Sequence, residues 1–290
     1  MTILLTGANG QLGRHLQTQA PADVALVALG SQELDITDVT QVRAAVQQHR
    51  PAVIINAAAY TQVDKAESDR ERAFAVNERG VANLIAATDD GTRLLHVSTD
   101  FVFDGSANQP YATDAPTNPL GVYGSSKLAG ERVLLQNAPH RSSIVRTAWL
   151  YSAGGKNFMD TMLKLMQTRD SLRVVADQRG TPTSCIGLAA ALWRLVQLPT
   201  LTGILHWTDD GETTWHGFAC EIQRLALQYG LLDRQVPIQA IATHEYPTPA
   251  RRPAYSVLDK ASTFAALGLR AQPWQQALET VIIERKRLTT

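Results

Sequence analysis

Cysteine is scarce in this chain of 290 residues: only Cys185 and Cys220 occur, far apart and with no Cys-x-x-Cys spacing. That excludes a disulfide framework and a cysteine-based metal site, and predicts two buried free thiols in a reducing compartment. Charge of one sign is also missing. Lysine plus arginine and aspartate plus glutamate both total 27, and no basic block exceeds Arg251-Arg252 or Arg285-Lys286-Arg287. Nothing therefore steers the chain toward nucleic acid or an anionic membrane surface. No apolar run reaches the length of a membrane span, and the chain opens directly on a strand and a glycine turn, so a soluble, cytoplasmic protein is expected. The seven histidines, including His15, His96 and His206, show no i, i+4 pairing of the kind that holds a metal.

Glycine is placed rather than abundant. In "MTILLTGANGQLGRHL" an apolar run ends at Thr6, and Gly7, Gly10 and Gly13 follow at intervals of three. Such a turn suits a phosphate cradle at a helix N-terminus, although the spacing differs from G-x-G-x-x-G and also fits a plain strand-to-helix turn.

Short β-branched runs at Ile3–Leu5, Val24–Leu29, Val53–Ile55, Leu94–Val97 and Ile144–Val145 alternate with helical patterns near 11–20, 38–49, 66–88 and 124–137. That alternation predicts an α/β fold with a doubly wound parallel sheet of Rossmann type. After residue 150 the pattern loosens. Ile204–Trp207, a helix over 214–229, Ile238–Ile241 and a last helix over 273–287 read as a smaller α+β C-terminal substrate domain. Residues 1–150 are thus expected to bind a dinucleotide, with returning segments near 172–200, and 151–290 mainly to bind substrate.

Polar residues or glycines follow each expected strand: Gly30-Ser31, Asn56 through Thr61, Ser98-Thr99-Asp100 and Arg146 through Trp149. In open parallel sheets ligands bind outside the carboxyl ends of the strands. In "VYGSSKLAGE" Tyr123 and Lys127 lie on one helical face, a spacing that also suits an ordinary half-buried ring beside a snorkelling lysine. Beside a threonine hydroxyl, however, a phenol and an ammonium form an acid–base set for ketone–alcohol interconversion, the ammonium being expected to lower the phenol pKa. Asp64, Glu67, Asp69 and Glu71 read as helix-start acids, and Trp207, Trp215 and Phe218 as core of the C-terminal unit.

The segments "TGANGQLG", "NAAAYTQVDKAE", "AVNERG", "VSTDFVFDG", "YGSSKLAGE" and "RTAWLY" resemble, in order and spacing, the extended short-chain dehydrogenase/reductase superfamily, and within it the dTDP-4-dehydrorhamnose reductase family. The resemblance implies a catalytic trio of Thr99, Tyr123 and Lys127. It implies cofactor contacts from Gly7, Gly10, Gln11, Leu12 and Gly13, from Asp35 and Ile36, from Ala57, Ala58 and Tyr60, and from Tyr123 and Lys127. Substrate contacts would come from Thr99, Asp100, Trp149, Asn157 and Arg252, with Gln178 and Gly180 as weaker candidates. Gly30-Ser31 stands where relatives that prefer NAD carry an acid, and Arg14 follows the last glycine. NADPH is therefore the expected cofactor, with NADH an open alternative. His15 occupies a position where some members carry a glutamate for Mg²⁺, which argues against a metal bridge and leaves a monomer or a homodimer. No metal is expected at the site. A nucleotide-sugar epimerase of the same superfamily and a non-catalytic NADP-binding regulatory subunit are the competing readings.

Overall fold

The computed structural model describes residues 1–288. β1 (Thr2–Thr6), β2 (Ala25–Leu29), β3 (Val53–Asn56), β4 (Arg93–Thr99) and β5 (Ser142–Thr147) follow the apolar runs, each within about two residues of expectation. α1 (Gln11–Thr18) and α2 (Val39–His49) fill the first two crossovers. The expected helix over 66–88 is broken into α3 (Val63–Ala66), α4 (Arg70–Phe74) and α5 (Gly80–Ala86), with a π-helical turn at Ala75–Arg79. Asn77 lies within the π-helical turn, where its side chain accepts from the Tyr60 amide at 2.9 Å and donates to the Tyr60 carbonyl and to Ser126 Oγ. α6 (Val122–Asn137) completes this half.

The second half comprises β6 (Leu150–Tyr151), α7 (Phe158–Thr168), β7 (Leu172–Val175), β8 (Arg179–Gly180), β9 (Thr183–Ser184) and α8 (Cys185–Val196). β10 (Gly203–His206), β11 (Thr213–Thr214), α9 (Trp215–Gln228), β12 (Ile238–Ile241), α10 (Ala261–Leu267) and α11 (Trp274–Arg287) follow.

The main sheet has the order β10-β5-β4-β3-β1-β2, and all five pairings are parallel. Successive residues of the strands serve opposite faces, which is why the runs are apolar throughout. Leu4, Ile54, Leu94 and Ile144 pack under α2, α5 and α6, while Ile3, Leu5, Ile55, Leu95 and Val145 pack against α1 and α8. The chain steps from β1 to β2 on one side and to β3 on the other, so the crevice opens above β1 and β3.

Two expectations need correction here. Ile204–Trp207 does not serve the C-terminal unit: β10 is the sixth strand of the main sheet, in parallel register with β5, and Trp207 is buried in the core beneath it. Of the two thiols, Cys185 is buried but Cys220 is exposed, because α9 turns Phe218, Ala219 and Ile222 into the core and leaves position 220 on its outer face. The C-terminal unit has its own core, formed by α7, α9 and α11 around Tyr151, Met159, Phe218 and Leu278, with β7 paired to β12. Among the described residues no helix is long and apolar enough to cross a membrane.

Candidate active site

The carboxyl ends of β1, β3, β4 and β5 open into a cleft of about 860 Å³ that runs from the glycine turn to the C-terminal unit. At one end Gly7 has φ +71°, and a Cβ there would come within 2.6 Å of the Ala58 amide nitrogen. At Gly13 a Cβ would lie 2.3 Å from the Gly7 carbonyl oxygen. A side chain at Gly7 would push the turn off the β3 loop, and one at Gly13 would push α1 off the Gly7 and Ala8 carbonyls, so glycine is what brings the helix N-terminus up to the cleft. Gly10 is the N-cap of α1 and no side chain caps it, which leaves the first helical amides available to an anionic group. Gly7, Gly10, Gln11, Leu12 and Gly13 all line the cleft, as do Ser31, Asp35, Ile36, Ala57, Ala58 and Tyr60.

Gly30, Arg14, Asn157, Gln178 and Gly180 lie outside this lining. Gly30 is buried behind it, where a Cβ would collide with the Asn9 side chain, and its amide donates to Glu33 Oε2 at 2.9 Å. Arg14 is exposed on the far side of α1. Asn157 acts one step back: it caps α7 and donates to Gln11 Oε1 at 2.7 Å, so it holds a residue that does line the cleft. The arginine beside the Ser31 and Asp35 end is Arg72, which reaches Asp35 at 3.8 Å. It was absent from the sequence reading because it sits in a helix assigned no role.

In the middle of the cleft Thr99, Asp100, Tyr123 and Lys127 come together. The parallel pairing of β4 with β5 sets Thr99 at the mouth, and the first two turns of α6 deliver Tyr123 and Lys127. Glu67 Oε1 accepts from the Val122 amide at 2.8 Å and so fixes the start of α6. Tyr60 donates its hydroxyl to Asp69, and Asp64 pairs with Arg252. Three of the supposed helix-start acids are thus long-range ties. Ser98 lines the cleft and its hydroxyl donates to Glu131 at 2.5 Å, and Glu131 forms a buried fork with Arg146 at 2.7 and 2.9 Å.

The electrostatics overturn one expectation. Burial pushes the Tyr123 phenol up to about 12; the Thr99 hydroxyl pulls the other way, and the Asp100 charge adds to the rise. Lys127 does not bring it down, because its ammonium is directed away: Nζ donates to the Val97 carbonyl at 2.7 Å and lies 3.2 Å from His96 Nε2. Burial also brings Lys127 itself down to about 8, with Glu131 opposing. Burial raises the Asp100 carboxyl to about 6, against the opposing pull of hydrogen bonds from Ser256 and Thr99. Thr99 Oγ1 donates to Asp100 Oδ1 at 3.0 Å.

At the far end Trp149 adopts φ +46°, and its ring lies flat on Trp215, centroids 3.5 Å apart and planes within 10°. Phe158 leans on Trp215 at 4.7 Å, and Gln178 accepts from the Trp215 indole at 3.2 Å. Trp215 thus lines the cleft, whereas Phe218 is core as expected. Lys156 completes this wall, and Arg252 meets it with its guanidinium paired to Asp64 at 2.8 and 2.9 Å.

The family model described as RmlD substrate binding domain matches residues 1–287. The chain belongs to the dTDP-4-dehydrorhamnose reductase family. A dTDP-4-dehydrorhamnose reductase of Streptomyces griseus is 46% identical over 282 residues, covering 95% of this chain and 91% of that protein. The crystal structure of a dTDP-4-dehydrorhamnose reductase from Clostridium acetobutylicum superposes with a TM-score of 0.92 at 40% identity over all of both chains. Another, from Bacillus anthracis in complex with NADP, gives 0.90 at 35% identity, covering 98% of this chain and 99% of that one. The chain is accordingly an NAD(P)H-dependent oxidoreductase acting on a nucleotide-linked sugar, on a Rossmann-type fold.

Proposed function

We propose that the protein reduces the C4 ketone of dTDP-4-dehydro-L-rhamnose to dTDP-L-rhamnose with NADPH. The observation that carries this is the meeting of Thr99, Tyr123 and Lys127 in one cleft with the glycine turn of α1. The uncapped helix start, the close approach that Gly7 and Gly13 permit and the cleft-lining Arg72 suit a pyrophosphate and a 2′-phosphorylated adenosine. When bound there, NADPH supplies hydride to the carbonyl carbon.

The residues of this chain do the rest. Thr99 donates to the ketone oxygen and fixes the carbonyl against the phenol. Tyr123 gives that oxygen its proton; a phenol held near 12 remains fully protonated at neutral pH and so is ready as an acid. Lys127 orients the nicotinamide ribose from its place beside Val97 and His96. Asp100 and Trp149 hold the sugar, and Arg252 exchanges Asp64 for the diphosphate. Residues 1–150, completed by α8 and β10, hold the cofactor, and the C-terminal unit holds the substrate.

The test is NADPH oxidation followed at 340 nm with dTDP-4-dehydro-L-rhamnose generated in situ, with and without Mg²⁺. Substrate-dependent oxidation yielding dTDP-L-rhamnose supports the proposal. NADPH binding without oxidation would transfer the assignment to another keto sugar or to a regulatory subunit.

A further inference from the structure

Behind Lys127 runs a buried chain of polar groups across three strands: Thr6 on β1, Asn56 on β3 and His96 on β4, each no more than 2% exposed. Asn56 Oδ1 accepts from the Ala58 amide at 3.2 Å and from the Thr6 hydroxyl at 2.6 Å. A backbone amide only donates, so the side-chain atom facing it must be the oxygen. The Asn56 amide nitrogen therefore faces His96, 3.0 Å from Nδ1. It has hydrogens and no acceptor, so Nδ1 must offer a lone pair. Burial, with the Lys127 charge adding, keeps this imidazole well below the ordinary histidine range and hence neutral. Its single hydrogen is consequently on Nε2, which lies 3.2 Å from Lys127 Nζ.

Two hydrogen-bearing nitrogens then face each other. We propose that His96 is a positioning residue for the reduction, presenting its Nε2–H to the Lys127 nitrogen so that the lysine holds its proton weakly. This rests on the roles proposed above for Tyr123 and Lys127.

The charged and titratable groups around the chain are Tyr123, Lys127 and Glu131 on α6, Arg146 on β5 and Asp100 after β4. Glu131 favours the ammonium, but its carboxylate is taken up by Arg146 and Ser98. The Val97 carbonyl accepts from either form and more strongly from the ammonium. Among these contacts His96 is the one that favours the amine. The consequence is a lysine that gives up its proton more readily as pH rises: the proton passes to water, the electron pair of the broken N–H bond stays on Nζ, and the amine left behind is the form that His96 accommodates as a donor.

Two measurements on the full chain test this. Long-range ¹H–¹⁵N correlation spectra of histidine-labelled protein, with His96→Gln to assign the signal, should show His96 protonated on Nε2. A proton on Nδ1 overturns the proposal, and this readout needs neither cofactor nor turnover. Second, Asn56→Asp keeps acceptors for Ala58 and Thr6 but accepts from Nδ1–H, reversing the tautomer and turning a lone pair toward Nζ. The alkaline limb of kcat/KM against pH should then rise by about one unit or more, a tenfold gain in proton affinity. His96→Leu, confirmed folded by its melting curve, should shift the limb the same way without adding a charge. An unmoved limb in both variants overturns the proposal. A wild-type protein with no turnover refutes the reductase reading instead, and leaves the tautomer to decide this one.

Discussion

Replacing Glu131 by Gln tests the buried frame on which the reacting residues are mounted. The Arg146 side chain is 3% exposed and the Glu131 side chain 1%, and their fork is closed by contacts of 2.7, 2.9 and 3.2 Å. Glutamine nearly preserves the shape but leaves a guanidinium buried without its counter-charge. The Thr113 carbonyl at 3.3 Å and the Phe103 ring at 5.1 Å remain as partners, and both are weak substitutes for a carboxylate. Breaking one half of such a pair costs about 3–5 kcal/mol. At roughly 2–4 °C per kcal/mol in a large domain, Tm should fall on the order of 10 °C. Replacing both partners with apolar residues, as in Glu131→Leu with Arg146→Met, should recover most of that loss, since no charge then stays buried. Differential scanning calorimetry and urea titration of the three variants measure this. A single variant within about 1 kcal/mol of wild type, or a double variant less stable than the single, would refute the reasoning. The same substitution removes the charge that supports the Lys127 ammonium, so the alkaline limb of activity should move to lower pH.

Three further outcomes are expected. Tyr123→Phe should abolish nearly all turnover while the dissociation constant for NADPH, read by fluorescence titration, changes little; retained turnover would remove the phenol from the proton-donor role. Arg72→Ala should cut the ratio of kcat/KM for NADPH over NADH by about tenfold or more, as loss of a charged phosphate contact implies, whereas Arg14→Ala should leave it unchanged; the reverse pattern would return the 2′-phosphate to α1. Burial raises Asp209 to about 7, so the folded state binds a proton that the unfolded chain has released above its ordinary range. That contribution is full at acid pH and is lost as pH rises toward 7, so Asp209→Asn should gain stability over wild type between pH 5 and pH 8. Urea midpoints at those two values decide it, and a constant difference would show that Asp209 is not what titrates.

Much of the architecture was legible because period and punctuation agree. Each short apolar run passes into polar residues or glycine at the carboxyl end of its strand, and the crevice falls where parallel-strand logic puts it. Gly7 and Gly13 could be picked out because their spacing reports the local backbone that carries them, Tyr123 and Lys127 because they share a helical face, and Thr99 through the family resemblance. What escaped the reading depends on partners distant in sequence. Nothing in Gly203–His206 distinguishes a strand of the C-terminal unit from the edge of the main sheet; pairing with β5 decides it. Trp215 looks like core in a helical pattern, and only its stack on Trp149 turns it to the cleft. The effect of Lys127 on Tyr123 was misjudged because proximity along a helix says nothing about where an ammonium points. Burial outweighs charge there, and Val97 and His96 claim the lysine.

Asn157 has a double duty with a mechanical consequence. Its carbonyl oxygen caps α7 by accepting from Asp160, and its amide reaches Gln11 beside the glycine turn. Any tilt of the C-terminal unit away from the sheet therefore has to break the bond from Asn157 to Gln11, so a single amide side chain ties the opening of the crevice to the glycine turn.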